Sequence, residues 1–410
     1  MPGAMVITFL GTSSGGGPSE SRNCSSLVCD ILGNGSLWMV DCAEGTLRQF
    51  AFQPKGQIQL KANRVTKIFI THMHADHIMG IVPLLRGVLF PPSTDSTTIK
   101  HSEKPPRVEI YGPSGIRNFV RQVMKMTLTN TSDTYTIHEL LTPDDPSLPC
   151  LSPAGIKIHS TDPNVMHISE VAGSDIRCAD DGFWRGLTES KGAYGRIFVD
   201  AGPISHRDPC IGYIFREDSW PLRKLVILGD TSNASTIAPL CLSPSPSLLV
   251  HESTDAHIPR NVDPKANRSL QVVLDKTLSR GHSIPTMAGT FAKAVGAERL
   301  VLNHISGRFP APRNHQDHRT AIIHEIEKQA TEAWNSSKSA IVAWDFMRIE
   351  IPAIMTTNLN TSDSSALSTD NTDVGSTTTQ MIPLSYSDPA EGSPHAGMRE
   401  FDPKTKKRRR

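Results

Sequence analysis

Several apolar, β-branched runs in this chain end the same way: a residue able to hold a metal or move a proton follows the last apolar position. "VTKIFI" (65–70) leads into "THMHADHIMG" (71–80), "KLVILG" (224–229) into Asp230, "SLLV" (247–250) into His251 and Glu252, and "RLVLN" (299–303) into His304. Short runs of this composition read as buried strands. A sheet fixes the positions of its strand ends while the loops beyond them vary, so α/β architectures gather their sites there. The pattern therefore demands a fold in which distant strand ends converge.

Further strands are expected at 5–11, 37–42, 107–112, 196–201 and 211–217, and one continuous strand at 339–351. Helical spacing falls at 78–90, 115–127, 265–280, 285–296 and 314–335. Strands interspersed with helices predict one layered α/β domain over residues 1–355. The Pro/Ser/Thr-rich stretches 91–106 and 142–155 read as loops. From 356 onward Ser, Thr, Asn and Asp replace large apolar residues. Such a segment cannot bury enough surface to offset its ordering entropy, so 356–410 is expected to be a disordered tail.

That tail ends in "KTKKRRR", which holds six of the 42 basic residues; the other 36 face 41 acidic ones, leaving residues 1–403 at −5. This balance excludes a global electrostatic footprint for nucleic acid, so any RNA contact must use a local patch. The basic end is compatible with nuclear import or nonspecific RNA affinity. Seven cysteines without a C-x-x-C pair argue against a disulfide framework or a thiolate zinc ribbon and fit a reducing compartment. The start, "MPGAMVITFLG", lacks the features of a signal peptide, and no apolar run reaches the roughly 18 residues of a membrane span. A soluble intracellular protein, cytoplasmic and/or nuclear and without a membrane partner, is the expectation.

His72, His74, Asp76 and His77 lie within six positions behind a buried-type strand. Imidazole and carboxylate suit Zn²⁺ and similar divalent ions, and four such groups in one turn can serve two adjacent ions. The bland alternative is a histidine-rich surface loop. Its spacing and its place behind the strand favour the metal site.

H-x-H-x-D-H is the signature of the metallo-β-lactamase superfamily, and the blocks around it resemble the tRNase Z family, endoribonucleases that remove 3′ trailers from precursor tRNA. "FLGTSSGGGPSESRNCSSLV" (9–28), "WMVDCAEGT" (38–46), "ILGDT" (227–231), "VHEST" (250–254), "GHSIPTMAG" (281–289) and "VLNHISGRF" (301–309) follow the family's order. The resemblance implies an αββα four-layer metallo-β-lactamase sandwich, two zinc ions (Mn²⁺ or another divalent metal being the alternative), precursor tRNA as substrate and a homodimer. It assigns His72 and His74 to one zinc, Asp76, His77 and His304 to the other, and Asp230 as the bridge. The remaining ligand is a histidine in the middle of the chain. His159, His167 and His206 compete, and His206 is preferred because a Gly-aromatic strand follows it, as in the family.

Phosphodiester hydrolysis needs a nucleophile at neutral pH, charge compensation on the phosphoryl group and a proton for the leaving oxygen. Asp76 is the expected general base. His282 is the expected acid with Glu252 orienting it, both by correspondence with the family's blocks. Asp41 and Glu44 are expected to support the ligands. The run "GTSSGGG" (11–17) is taken as tight turn geometry rather than a phosphate cradle.

The family usually carries a long flexible arm between the third ligand and the bridging aspartate, which grips the tRNA elbow. Only residues 207–229 lie between His206 and Asp230, and two expected strands occupy most of them. No arm fits there. The stretch 180–196, with Trp184, Arg185, Lys191, Tyr194 and Arg196, is weighed as a substitute RNA-contacting loop against an ordinary solvated one. Two rival functions remain beside the tRNA-processing one: a phosphodiesterase of the same fold acting on a small or non-tRNA ester, and a non-catalytic metal-binding module.

Overall fold

The structure, a computed structural model, describes residues 3–89, 105–153, 160–314 and 316–353. Residues 91–104 of the expected loop 91–106, His159 and the tail 356–410 with its basic end lie outside the described residues. In chain order the strands of the first half are β1 (Met5–Gly11), β2 (Ser13–Ser14), β3 (Ser26–Asp30), β4 (Leu37–Val40), β5 (Val65–Phe69), β6 (Val108–Pro113), β7 (Tyr135–Leu141), β8 (Glu170–Val171) and β9 (Asp175–Arg177). The second half supplies β10 (Trp184–Lys191), β11 (Arg196–Ile204), β12 (Cys210–Glu217), β13 (Lys224–Leu228), β14 (Leu248–Glu252), β15 (Leu300–Asn303), β16 (Ile305–Ser306), β17 (Ile341–Val342) and β18 (Arg348–Ile351). The helices are α1 (Thr46–Ala51), α2 (Ala75–Ile78), α3 (Ile81–Val88), α4 (Ile116–Met126), α5 (Ala238–Cys241), α6 (Leu270–Leu278), α7 (Pro285–Ala294) and α8 (Arg319–Trp334).

Two mixed sheets form, one in the order β18-β1-β3-β4-β5-β6-β7-β8 with β9 beside β7, the other β10-β11-β12-β13-β14-β15-β17. Their central strands are apolar on both faces, and each face has its own partner. In β13, Leu225 and Ile227 point between the sheets, while Val226 and Leu228 point at a helix layer. The inter-sheet core joins Met5, Ile7, Phe9, Trp38 and Phe69 of one sheet to Val199, Tyr213, Phe215 and Val250 of the other. Outside it, α3 and α4 cover the first sheet through Ile81, Leu84, Leu85, Val120 and Met124. Over the second sheet, α7 and α8 pack through Ala288, Phe291, Ile326 and Ala330. The outcome is the expected αββα order of layers. No helix among the described residues is long and apolar enough to cross a membrane.

The segment 339–351 departs from expectation. It is two short strands, β17 in the second sheet and β18 in the first. The chain crosses over at Asp345, whose partly buried carboxylate accepts hydrogen bonds from Thr12 Oγ1 (2.8 Å), the Asn23 N–H (2.6 Å) and Gln49 Nε2 (3.0 Å). Phe346 takes φ +68° in the same turn. An apolar pattern continues through the bend, so periodicity alone missed it. The expected helix 265–280 starts only at Leu270, where Ser269 accepts the Val272 N–H. Strands β3 and β7 and helix α1 carried no expectation.

Phe69 anchors the end of β5 between the sheets, stacked on Tyr111 at 5.3 Å and meeting Phe215 edge-on at 5.2 Å. Directly beyond it comes the histidine loop, which the expected helix 78–90 fails to cross intact. Gly80 separates α2 from α3, and its N–H donates to Cys42 O at 2.8 Å. A Cβ at Gly80 would lie 1.9 Å from Ala43 O, so only glycine permits this approach. Gly80→Ala should therefore destabilise the domain by about 1–3 kcal/mol, read as a fall in melting temperature of several degrees in a thermal unfolding scan.

Candidate metal centre

The strand ends meet as the sequence pattern demands. His72, His74, Asp76 and His77 follow β5, Asp230 follows β13, Glu252 ends β14 and His304 follows β15. His206 lies in the turn from β11 to β12, which opens at the same end because β12 runs antiparallel to β13. His282 enters from the connection between α6 and α7.

Donor atoms of His72, His74, His206 and Asp230 lie within 4.8 Å of one another, and so do those of Asp76, His77 and His304. Asp230 joins the groups. Its Oδ2 is 3.6 Å from His72 Nε2, while its Oδ1 is 3.5 Å from His77 Nε2 and 3.4 Å from His304 Nε2. Asp76 Oδ2 is 3.4 Å from His304 Nε2. Tetrahedral zinc with bonds of about 2.0–2.1 Å holds its ligand atoms about 3.3–3.4 Å apart, so the spacing suits an ion.

The far nitrogen of every candidate histidine has its own partner, which fixes the nitrogen left facing the centre. His77 Nδ1 meets Asp41 Oδ2 at 2.7 Å, and His206 Nδ1 meets Gly281 O at 2.6 Å. His304 Nδ1 meets Thr254 Oγ1 at 2.9 Å, His72 Nδ1 meets Thr71 Oγ1 at 3.1 Å, and His74 Nε2 meets Asp208 Oδ2 at 2.7 Å. Thr71 in turn donates to Asp41, from its N–H at 2.8 Å and from Oγ1 at 2.9 Å. His206 Nε2 is buried with no protein hydrogen-bond partner. A buried nitrogen without a partner costs free energy unless something binds there, and a divalent ion fits the donor set.

At His72 and His206 the electrostatics agree with this assignment, whereas at His77 the charges and hydrogen bonds of Asp230 and Asp41 outweigh burial and raise the imidazole, so an ion there would displace its proton. Burial pushes His72 and His206 below the ordinary imidazole range, which favours the neutral, ligating form. Burial alone would raise the Asp230 carboxyl, but the surrounding His304, His77 and His72 outweigh it and hold Asp230 ionised. For Asp76 burial is likewise outweighed, chiefly by the hydrogen bond with His304. The N–H of Gly15 also donates to Asp76 Oδ2 at 2.9 Å. The glycine-rich run is thus a turn, with Gly15 at φ +94°, that braces a centre residue.

Among the rivals, His167 is remote from the cluster: it stacks on Tyr135 and burial pushes its pKa to about 4. His282 Nδ1 bonds Glu252 Oε1 at 2.9 Å, although a His282 nitrogen also lies within 4.8 Å of donor atoms of Asp230 and His304. Glu252 also accepts the Thr231 N–H at 2.8 Å and Thr254 Oγ1 at 2.6 Å. Asp41 takes the supporting position expected of it. Glu44 does not: its side chain is exposed, and its main-chain carbonyl accepts from Asn23 Nδ2.

In the 180–196 stretch the structure differs from the expected loop. The stretch forms β10 and its hairpin with β11, with Trp184 buried. Arg185 is paired with Asp181 at 2.6 Å and Arg196 with Glu189 at 3.0 Å, both at the surface, while Lys191 is exposed, so the stretch is equally open to an RNA contact and to plain solvation. Sequence reasoning passed over Thr71, Asp208, Thr254 and the Gly281 carbonyl. Each adjoins a quoted motif, but nothing local marks its role.

Asp41→Asn would set an amide N–H₂ against donors that now meet a carboxylate. Zinc affinity should fall about 10–100-fold, measured by isothermal titration of the metal-stripped protein.

A profile of the family described as Anti-Pycsar protein Apyc1 matches residues 5–103. "Zinc phosphodiesterase ELAC protein 1" of Bos taurus is 30% identical over 396 residues, covering 85% of this chain and 99% of that protein. "Ribonuclease Z" of Streptococcus sanguinis is 31% identical, covering 75% of this chain and 91% of that protein. The crystal structure of the short form of human tRNase Z aligns at a TM-score of 0.56 and 31% identity, over 85% of this chain and 99% of its own. With identity at that level over nearly the whole of such relatives, and with the sandwich and strand-end centre already described, the chain belongs to the ribonuclease Z (tRNase Z) family of the metallo-β-lactamase fold.

Proposed function

We infer that this chain is a zinc-dependent endoribonuclease that removes the 3′ trailer from precursor tRNA, and that it works with two ions. Its relatives named zinc phosphodiesterase and ribonuclease Z support the reaction class. The observation that carries the two-ion reading is Asp230, a buried carboxylate whose two oxygens face two different groups of histidines. His72, His74 and His206 would hold one ion, Asp76, His77 and His304 the other, with Asp230 between them.

When bound, zinc makes a nucleophilic water available at neutral pH and compensates charge on the phosphoryl oxygens. The protein supplies direction and protons. Asp76, kept ionised, accepts a hydrogen bond from the attacking water and fixes its approach. His282 delivers a proton from Nε2 to the departing 3′-oxygen, because its Nδ1 is already committed to Glu252. Burial opposes a charged His282, but the hydrogen bond and charge of Glu252 outweigh it and raise the imidazole pKa above its ordinary value. That is the direction a general acid working near neutral pH needs.

One observation favours a second reading, a phosphodiesterase acting on a smaller ester. Strands β12 and β13 are joined by residues 218–223 alone, so no arm rises between the third histidine and Asp230. Precursor tRNA, a cyclic nucleotide and an aryl phosphodiester assayed in parallel decide between them. Site-specific cleavage of precursor tRNA is the expected outcome; turnover of the small esters with intact precursor tRNA would sink it. In the same assay His282→Ala should lower turnover by at least about 100-fold with zinc content unchanged.

A further inference from the structure

The five partners that orient the candidate histidines are not equally protected. The Thr71 side chain is buried, Asp41 is 5% exposed, and Thr254 Oγ1 and the Gly281 carbonyl make their bonds in partly buried surroundings. Asp208 differs: its side chain is 57% exposed, and the His74 ring it holds is 21% exposed against 0% for His72, 2% for His77 and 4% for His304. A second group competes for the same carboxylate. Arg207 Nε lies 3.5 Å from Asp208 Oδ2, and Arg207 Nη2 is 3.3 Å from His74 Nε2.

We propose that Asp208 is a positioning residue that sets metal affinity at the His72/His74/His206 subsite, making that subsite the exchangeable half of the centre. The proposal rests on the two-ion reading above. The main chain around Asp208 is fixed: Ser205 N–H donates to Asn233 O at 3.0 Å, and Ile211 N–H donates to Thr71 O at 2.9 Å. One short turn therefore delivers both a ligand, His206, and the group that orients another ligand, His74. With His74 Nε2–H held by Asp208, Nδ1 faces His72 Nε2 at 2.8 Å, inside the subsite. Without Asp208 nothing described keeps that ring in place, since Arg207 is itself a donor and cannot accept the Nε2 proton. Orienting carboxylates of this kind are worth about 10–100-fold in metal affinity. This one meets solvent, salt and a neighbouring guanidinium, so its hold is the weakest of the five. The opposite subsite has Asp41 and Thr254, both sheltered.

The test uses the full chain loaded with zinc, as wild type, Asp208→Ala and Asp208→Asn, equilibrated against graded chelator. Zinc per chain is read by metal analysis. Wild type should release its two equivalents in separate steps. Asp208→Ala should lose the first at about 10–100-fold lower free chelator and leave the second step unmoved. Asp208→Asn, whose amide oxygen still accepts the His74 Nε2 proton, should restore most of the difference. Thermal unfolding of the stripped proteins should coincide, because the side chain is exposed. Unchanged release from Asp208→Ala, an equal shift of both steps, or joint release from wild type would each overturn the proposal. A wild type that holds no zinc would instead remove the two-ion reading on which it stands.

Discussion

Asp230 is 2% exposed, and a carboxylate so buried is tolerated only where partners compensate its charge. The compensation comes from His72, His77 and His304, which arrive from the ends of two different strands on two different sheets. Much of the architecture answers that requirement. The sheets must face each other with the ends of β5, β13, β14 and β15 on one side, and the inter-sheet core must hold them there. Phe69, wedged among Tyr111, Tyr213 and Phe215, does so one residue before the histidine loop begins its turn.

Orientation is a separate problem from proximity. An imidazole has two nitrogens, and a ligand histidine is useful only if the correct one faces inward. Here Asp41 orients His77 directly and reaches His72 through the Thr71 hydroxyl, so a single carboxylate serves both groups of ligands. Thr254 likewise links two functions, bonding His304 and the Glu252 carboxylate that holds His282. The candidate ligands and the candidate proton donor thus share one hydrogen-bonded frame.

Substrate recognition poses a separate requirement from the chemistry. The β12–β13 connection is short, and the β10–β11 hairpin pairs Arg185 and Arg196 with Asp181 and Glu189 at its surface. With residues 1–403 at −5, any grip on a long polyanion has to use a local patch rather than the whole surface. Arg207 is a half-exposed cation beside His74.

Strands that end in ligands could be read from the sequence, because both signals are local: an apolar run of strand length, then a compact polar motif. The αββα order and the grouping of His72, His74, Asp76, His77, Asp230 and His304 came from the motifs and their family resemblance, and the structure brings those residues together. The bend at Asp345 could not be read, since its cause is contacts with Thr12, Asn23 and Gln49 some 300 positions away. The choice of His206 over His167 became geometric only when β12 was seen to turn back beside β13. The orienting partners were invisible for the same reason. Asp208 meets His74 across 134 positions as one residue against one, with no periodicity to announce it. The sequence and its family resemblance named the candidate groups for the chemistry; tertiary structure decided which atom of each faces inward, because that depends on single long-range hydrogen bonds rather than on any repeating pattern.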